Sequence, residues 1–384
     1  LSATNTIMAC VKHFAGYGAP IAGKEYNNVD MSLSHFANFY MLPYKAAVEA
    51  GAATVMGAFN DFNNIPSSCN EFLLRKLLKE EWNFKGFVVS DMNSVREVIN
   101  HRYALNEKDA AAKAINAGMD MEMVSTCYLQ YLKELINEGK VKESVLDDAV
   151  RRILEKKYEL GLFEDPYRYC NQERAKQILN SASTRDASRR MAERSIVLLK
   201  NENGLLPLSG EVQRIALIGA LAKLKGDMCG GWSGADVNKV VTLYEAMEKR
   251  GLTVNYSDGY NLENNQIVNL NQTLTAARKS DIVVVAMGER AGDTGELSSK
   301  GDISISAEQQ KLVSELIKTG KPVIVLMMCG RPVIFNEVRR DAPAILCTWW
   351  LGSEAGNAIC NVLWGEYNPS GKLPMTFPIH NGQI

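Results

Sequence analysis

An acid stands at residue 91 where a carboxylate could do chemistry. Phe87, Val88 and Val89 read as a buried parallel strand released by Gly86, and Ser90 and Asp91 follow at its carboxyl end, before a helix expected to start near Asn93. A carboxylate in that position has rigid backbone behind it, as a nucleophile or general base requires. Capping the following helix is the other use an Asp has there. Lys12 and His13, in KHF, end another apolar run and offer a triple donor beside a group that donates or accepts, a pair suited to a substrate rich in hydroxyls. Two further acids, Glu289 and Glu296, lie in GERAGDTGELSSKGD (288–302), a glycine-rich polar loop leaving the apolar run DIVVVAMG. A long loop at a strand's carboxyl end gives an acid reach. An ordinary solvated loop glutamate is the alternative at either position.

Four elements in the first 160 residues have to position these groups. MACVKHF (8–14), ATVMGAFN (53–60), FVVSD (87–91) and MDMEMV (119–124) read as strands, each ending in polar residues: Lys12 and His13, Asn60 and Asp61, Ser90 and Asp91, Asp120 and Glu122. Between them NEFLLRKLLKEEW places Leu73, Leu74, Leu77 and Leu78 on one helix face, and ESVLDDAVRRILEKKYELG does the same with Leu146, Ala149, Val150, Ile153 and Leu154, with Gly161 placed to stop it. This βα rhythm predicts a (β/α)8-type barrel seen along its functional rim. Eight strands close such a barrel, so the reading expects the opening half to lie outside this sequence.

Residues 162–190 read as a linker, with a helix from Ala187 to Leu199 leading out of it. A second α/β region follows, with strands RIALIGA (214–220), DIVVVAMG (281–288), KPVIVLMM (321–328) and AILCTWW (344–350), expected to form an open, mostly parallel sheet covered by helices on both faces. The expected division is 1–161, 162–190 and 191–384. The fold class is α/β throughout: the C-terminal part of a (β/α)8 barrel followed by an α/β sandwich.

Composition excludes several functions. With 43 Lys plus Arg against 44 Asp plus Glu the net charge is -1, which leaves no basic footprint for nucleic acid or an anionic membrane. No apolar run reaches the roughly 18 residues of a spanning helix. The 8 cysteines form no CxxC pair and no His is spaced to complete a zinc site, so they read as small buried hydrophobes, with no metal or cofactor implied. RIALIGALAKLKG lacks the GxGxxG spacing of a dinucleotide turn.

Six ordered blocks together resemble the family 3 glycoside hydrolases, especially their bacterial β-glucosidase branch: VKHFAGYGAPIAGKEYNNVDMS, GFVVSDMNSV, RSIVLLKNENGLLPL, TGELSSKGDISI, GKPVIVLMMCGRPV and WWLGSEAGNAICNVLWGEYNPSGKLPMTFP. The resemblance implies a barrel domain followed by an α/β sandwich. It implies Asp91 as catalytic nucleophile, Glu296 as acid/base, and Lys12 and His13 as ligands of the sugar that is released. No role is carried onto Asp61 or Glu289. The activity implied is that of a retaining, exo-acting β-glucosidase on β-glucosides or oligosaccharides, without cofactor, in a periplasmic or secreted setting. β-Xylosidase or mixed specificity, and a catalytically impaired carbohydrate-binding fragment, are the other readings.

The departures from the family pattern are specific. Met92 stands where many members carry Trp, and Lys300 replaces an arginine after the acid/base loop. Tyr17, in KHFAGYG, takes the place of the histidine of KHFPGHG in the β-N-acetylglucosaminidases, which argues against amino sugars. Family members carry a sugar-binding aspartate and arginine in the part of the barrel expected to precede this sequence, and the branch continues past the closing FPIHNGQI.

Overall fold

The computed structural model describes residues 7–383 and separates into two compact units, one ending at Asn171 and the other beginning at Gln172.

The first unit contains the four expected strands as one parallel sheet in sequential order: β1 (Cys10–Phe14), β2 (Thr54–Gly57), β3 (Phe87–Met92) and β4 (Met121–Met123). Sequential parallel order with a helical crossover between neighbours is the topology of half a (β/α)8 barrel. The leucine stripe behaves as its spacing predicts: helix Phe72–Glu81 buries Leu73, Leu74, Leu77 and Leu78. They pack with Val55, Val88 and Phe14 in one core. Helix Glu143–Glu159 stops at Gly161, whose φ of +68° suits a residue without a Cβ. Its apolar stripe is only partly covered. Ala149 is buried, while Val150 and Leu154 look outward beside Tyr158 and Phe163 around a shallow hollow.

Residues 162–190 are more ordered than a linker pattern suggests. They hold helix Gln172–Ile178 and most of helix Ala182–Ser195, whose first turn is capped by Ser181 accepting from Thr184 N. That helix ends four residues before the expected Leu199, because Val197–Asn201 is a strand, β5, antiparallel to Ala344–Cys347. An available sheet edge overrides the helical continuation there.

The second unit is built on a six-stranded sheet. With β6 (Arg214–Ile218), β7 (Thr253–Ser257), β8 (Ile282–Gly288), β9 (Val323–Met328) and β10 (Ala344–Cys347), the order is β5-β10-β9-β8-β6-β7, parallel except for β5. The continuous apolar runs follow from burial on both faces. Ile282, Val284 and Ala286 enter one core with Ile324 and Leu326, whereas Val283, Val285 and Met287 enter the opposite core with Val323 and Val325. Five of the cysteines (Cys69, Cys127, Cys329, Cys347, Cys360) are buried and all eight are free thiols. Burial pushes the Cys69 and Cys360 thiols up to about 12, which keeps them protonated.

Candidate active site

In the first unit, Asp91 and His13 meet. Both parallel ladders that hold them lose register where the site residues sit: β1 against β2 between Val11 and Phe14, and β3 against β4 between Val89 and Met92. The ladder from β2 to β3 is regular. Irregularities of this kind re-aim side chains beside active sites. At the second of them, Ser90 Oγ accepts from Met123 N at 2.9 Å, satisfying a backbone donor that the shifted ladder leaves over.

Asp91 is 9% exposed, and its carboxylate is divided between two directions. Oδ1 accepts from Met92 N at 2.7 Å, and Oδ2 lies 3.1 Å from His13 Nε2. The carboxylate does not cap the helix that follows: helix Ser94–Glu97 begins after Asn93, which stands at φ +63°. Lys12, one residue before His13, is exposed. The ring of His13 meets Tyr17 edge to face, centroids 5.3 Å apart.

A second histidine and acid pair lies in the connecting segments of the first unit: His101 Nδ1 is 2.8 Å from Asp61 Oδ1, both side chains less than a fifth exposed. The hydrogen bond to Asp61 holds the His101 imidazole above its ordinary value. The remaining strand-end acids are structural. Asp120 takes Lys79 Nζ at 2.6 Å and Val88 N at 2.8 Å. Glu122 accepts from Cys127 N and Tyr128 N, which begin helix Cys127–Asn137.

In the second unit the loop after β8 carries both glutamates. Gly288, at φ +141°, lies so close to β9 that a Cβ would stand 1.8 Å from Met328 O. Glu289 follows, 7% exposed, with Lys300 Nζ 2.7 Å from Oε1 and Arg331 Nε 3.3 Å from Oε2. Lys300 therefore reaches its partner as a point charge, while the planar cation at this cluster comes from Arg331 on another strand end. Glu296 is half-buried between Gly295 at φ +101° and Leu297 at φ +60°. For a leucine that conformation costs about 1 kcal/mol, a strain typical of functional loops. His101 and Arg331 were not legible as site residues. Arg331 does follow the apolar run VIVLMMCG, so the rule that flagged Asp91 applies to it as well.

Among the described residues no group of three or more His, Cys, Asp or Glu is placed to hold a metal ion, and no helix is long and apolar enough to cross a membrane.

A parallel βα unit with carboxylates at its strand ends and a second α/β unit with glutamates on a strand-end loop match the two domains of a class of enzymes, the glycoside hydrolases. The chain belongs to glycosyl hydrolase family 3: its N terminal domain matches residues 2–156 and its C-terminal domain residues 196–384. A periplasmic β-glucosidase of Salmonella typhimurium is 40% identical over 406 residues, covering 99% of this chain and 53% of the relative. A β-xylosidase of Formosa agariphila is 36% identical over 398 residues, covering 99% and 55%. The solved structure of a β-glucosidase from Listeria innocua in complex with glucose superposes with a TM-score of 0.92 at 40% identity, covering 99% of this chain and 52% of that one. The chain thus spans about half the length of these relatives.

Proposed function

We propose that this chain carries the catalytic carboxylates of a retaining, exo-acting β-glucosidase that removes terminal β-D-glucosyl residues from β-glucosides or oligosaccharides. Asp91 attacks the anomeric carbon, its C–O bond forming as the glycosidic C–O bond breaks. Glu296 gives its proton to the departing oxygen. Water then attacks the glycosyl-enzyme, delivering its proton to Glu296 and returning Asp91 as a carboxylate. The two carboxyls of a retaining pair work about 5 to 5.5 Å apart. Lys12 and His13 bind hydroxyls of the sugar in the released-sugar subsite.

The observation that carries the reading is the state of Asp91: buried on a rigid strand end, free of helix-capping duty, with one oxygen beside His13 Nε2. β-Xylosidase activity is the second reading, favoured by the Formosa relative. By likeness to the Salmonella protein, the setting we propose is periplasmic.

Proton NMR of the first-formed sugar, with aryl β-glucoside and β-xyloside side by side, tests the proposal. β-Glucose appearing first, and lost in Asp91→Ala, is expected. α-Glucose first, or an Asp91→Ala variant at wild-type rate, refutes the mechanism, and binding without turnover of either glycoside points to a carbohydrate-binding fragment.

A further inference from the structure

We propose that Glu289 is a positioning residue for Glu296, holding the acid/base loop through a clamp made with Lys300 and Arg331. The inference rests on the acid/base assignment above.

Glu289 is held from its backbone and from both carboxylate oxygens. Its own N–H donates to Met328 O at 2.9 Å, and the glycine before it is pressed against the neighbouring strand. Both carboxylate oxygens then face cations, Oε1 towards Lys300 and Oε2 towards Arg331. Arg331 does more than balance charge. Its Nη2 donates to Ser298 O at 2.9 Å and also to Asp293 O. Those carbonyls stand on opposite sides of Glu296, one on each leg of the loop, and Lys300 ties the outgoing leg a second time. A guanidinium offers several donors in one plane, so a single side chain can grip two legs while its Nε faces a carboxylate.

The loop entrance is anchored separately. Asp227 accepts from Ala291 N at 2.7 Å, and Asp293 Oδ2 accepts from Arg290 N at 2.9 Å. Those bonds fix where the loop starts. Ser298 N also donates to Gly295 O at 3.1 Å across Glu296, a bond local to the tip. The Glu289 clamp is what ties both legs back to the strands, with Gly295 and Leu297, both at positive φ, between them. Loss of charge at Glu289 leaves Arg331 and Lys300 without their shared counter-ion and lets the tip carrying Glu296 drift from the leaving oxygen.

Hydrogen exchange of the full chain reads the loop directly and does not depend on turnover. In Glu289→Gln, amides 293–298 are expected to exchange about tenfold faster than in the wild type while the strands of the same sheet are unchanged. The second readout is leaving-group dependence. Misplacement of an acid by ~1 Å costs on the order of 10–100-fold, so kcat/KM should fall by that factor for alkyl leaving groups, stay level for dinitrophenyl, and leave KM little changed. Lys300→Arg, which keeps the charge, should retain wild-type behaviour in both readouts. Lys300→Gln loosens the loop without altering a buried group, and it decides the matter if Glu289→Gln fails to fold. Unchanged exchange in Glu289→Gln, or in Lys300→Gln where that variant decides, overturns the positioning role, as does a uniform loss across leaving groups. Glu296→Ala without azide rescue would overturn the acid/base assignment instead, leaving the loop measurement standing.

Discussion

His13 Nε2 lies 3.1 Å from Asp91 Oδ2 across a strand that belongs to neither: β2 runs between β1 and β3. The contact is made above the sheet, at the carboxyl ends of the strands, where both flanking ladders have slipped register. One imidazole nitrogen therefore stands at ion-pair distance from a carboxylate two strands away, whose other oxygen accepts from a backbone N–H.

His13→Ala removes that imidazole from beside the carboxylate and, in the proposed subsite, a ligand of the sugar. The expected loss in kcat/KM on an aryl β-glucoside is about 100-fold, in the range for a single preorganised donor at a reacting charge. Steady-state kinetics check it, and a loss under threefold argues that His13 only fills space.

Glu296→Ala should slow alkyl glucosides by ~100-fold or more and activated aryl glucosides far less in kcat/KM, since a good leaving group needs little protonation. Azide should restore turnover of the activated substrate and yield β-glucosyl azide, visible by NMR. A uniform loss with no azide product contradicts the acid/base role.

Lys79 and Asp120 form a buried pair 2.6 Å apart, and burial works against both charges, lowering the lysine and raising the aspartate. Removing one partner strands the other. Lys79→Met should destabilise the first unit by about 3–5 kcal/mol, and Lys79→Met with Asp120→Leu by clearly less. Urea unfolding of the single and double variants provides the comparison, and equal losses would show that the charge is not what matters.

The His101–Asp61 pair gives a pH dependence with a defined sign. The folded imidazole sits above its ordinary value, so its contribution is fully present below about pH 6.5 and fades as pH rises through the elevated folded value. His101→Asn should lower the unfolding temperature at pH 5.5, where a charge-assisted bond of about 1–2 kcal/mol is lost, and have much less effect at pH 8.5. Scanning calorimetry at the two pH values settles the sign, and a larger effect at pH 8.5 would reverse the argument.

The eight expected strands are all present; those of the second unit's central sheet, such as Ile282–Gly288 and Val323–Met328, are buried on both faces and so write themselves as uninterrupted apolar runs. β5 and β7 were not legible. Ile196–Asn201 follows a helical stretch and takes its conformation from β10, far away in sequence, and Thr253–Ser257 alternates too weakly to stand out. The site shows the same division. Strand-end position marked Asp91, His13 and Asp61, but it marked Asp120 and Glu122 equally. Only pairing separates them, and no local pattern shows that Asp120 meets Lys79. The register slips beneath His13 and Asp91 are likewise invisible in composition, because a slip belongs to two strands at once.

The antiparallel strand β5 has a consequence for the order of folding. It is the first strand of the second unit to leave the ribosome, yet its only ladder partner, Ala344–Cys347, follows roughly 140 residues later, a high-contact-order pairing. Until β10 emerges, Val197 and its neighbours have no edge to join. The sheet that carries the glutamate loop is therefore completed last at the edge nearest the first unit in sequence, and in the interval IVLLKN is an unpaired apolar segment of the kind that chaperones hold.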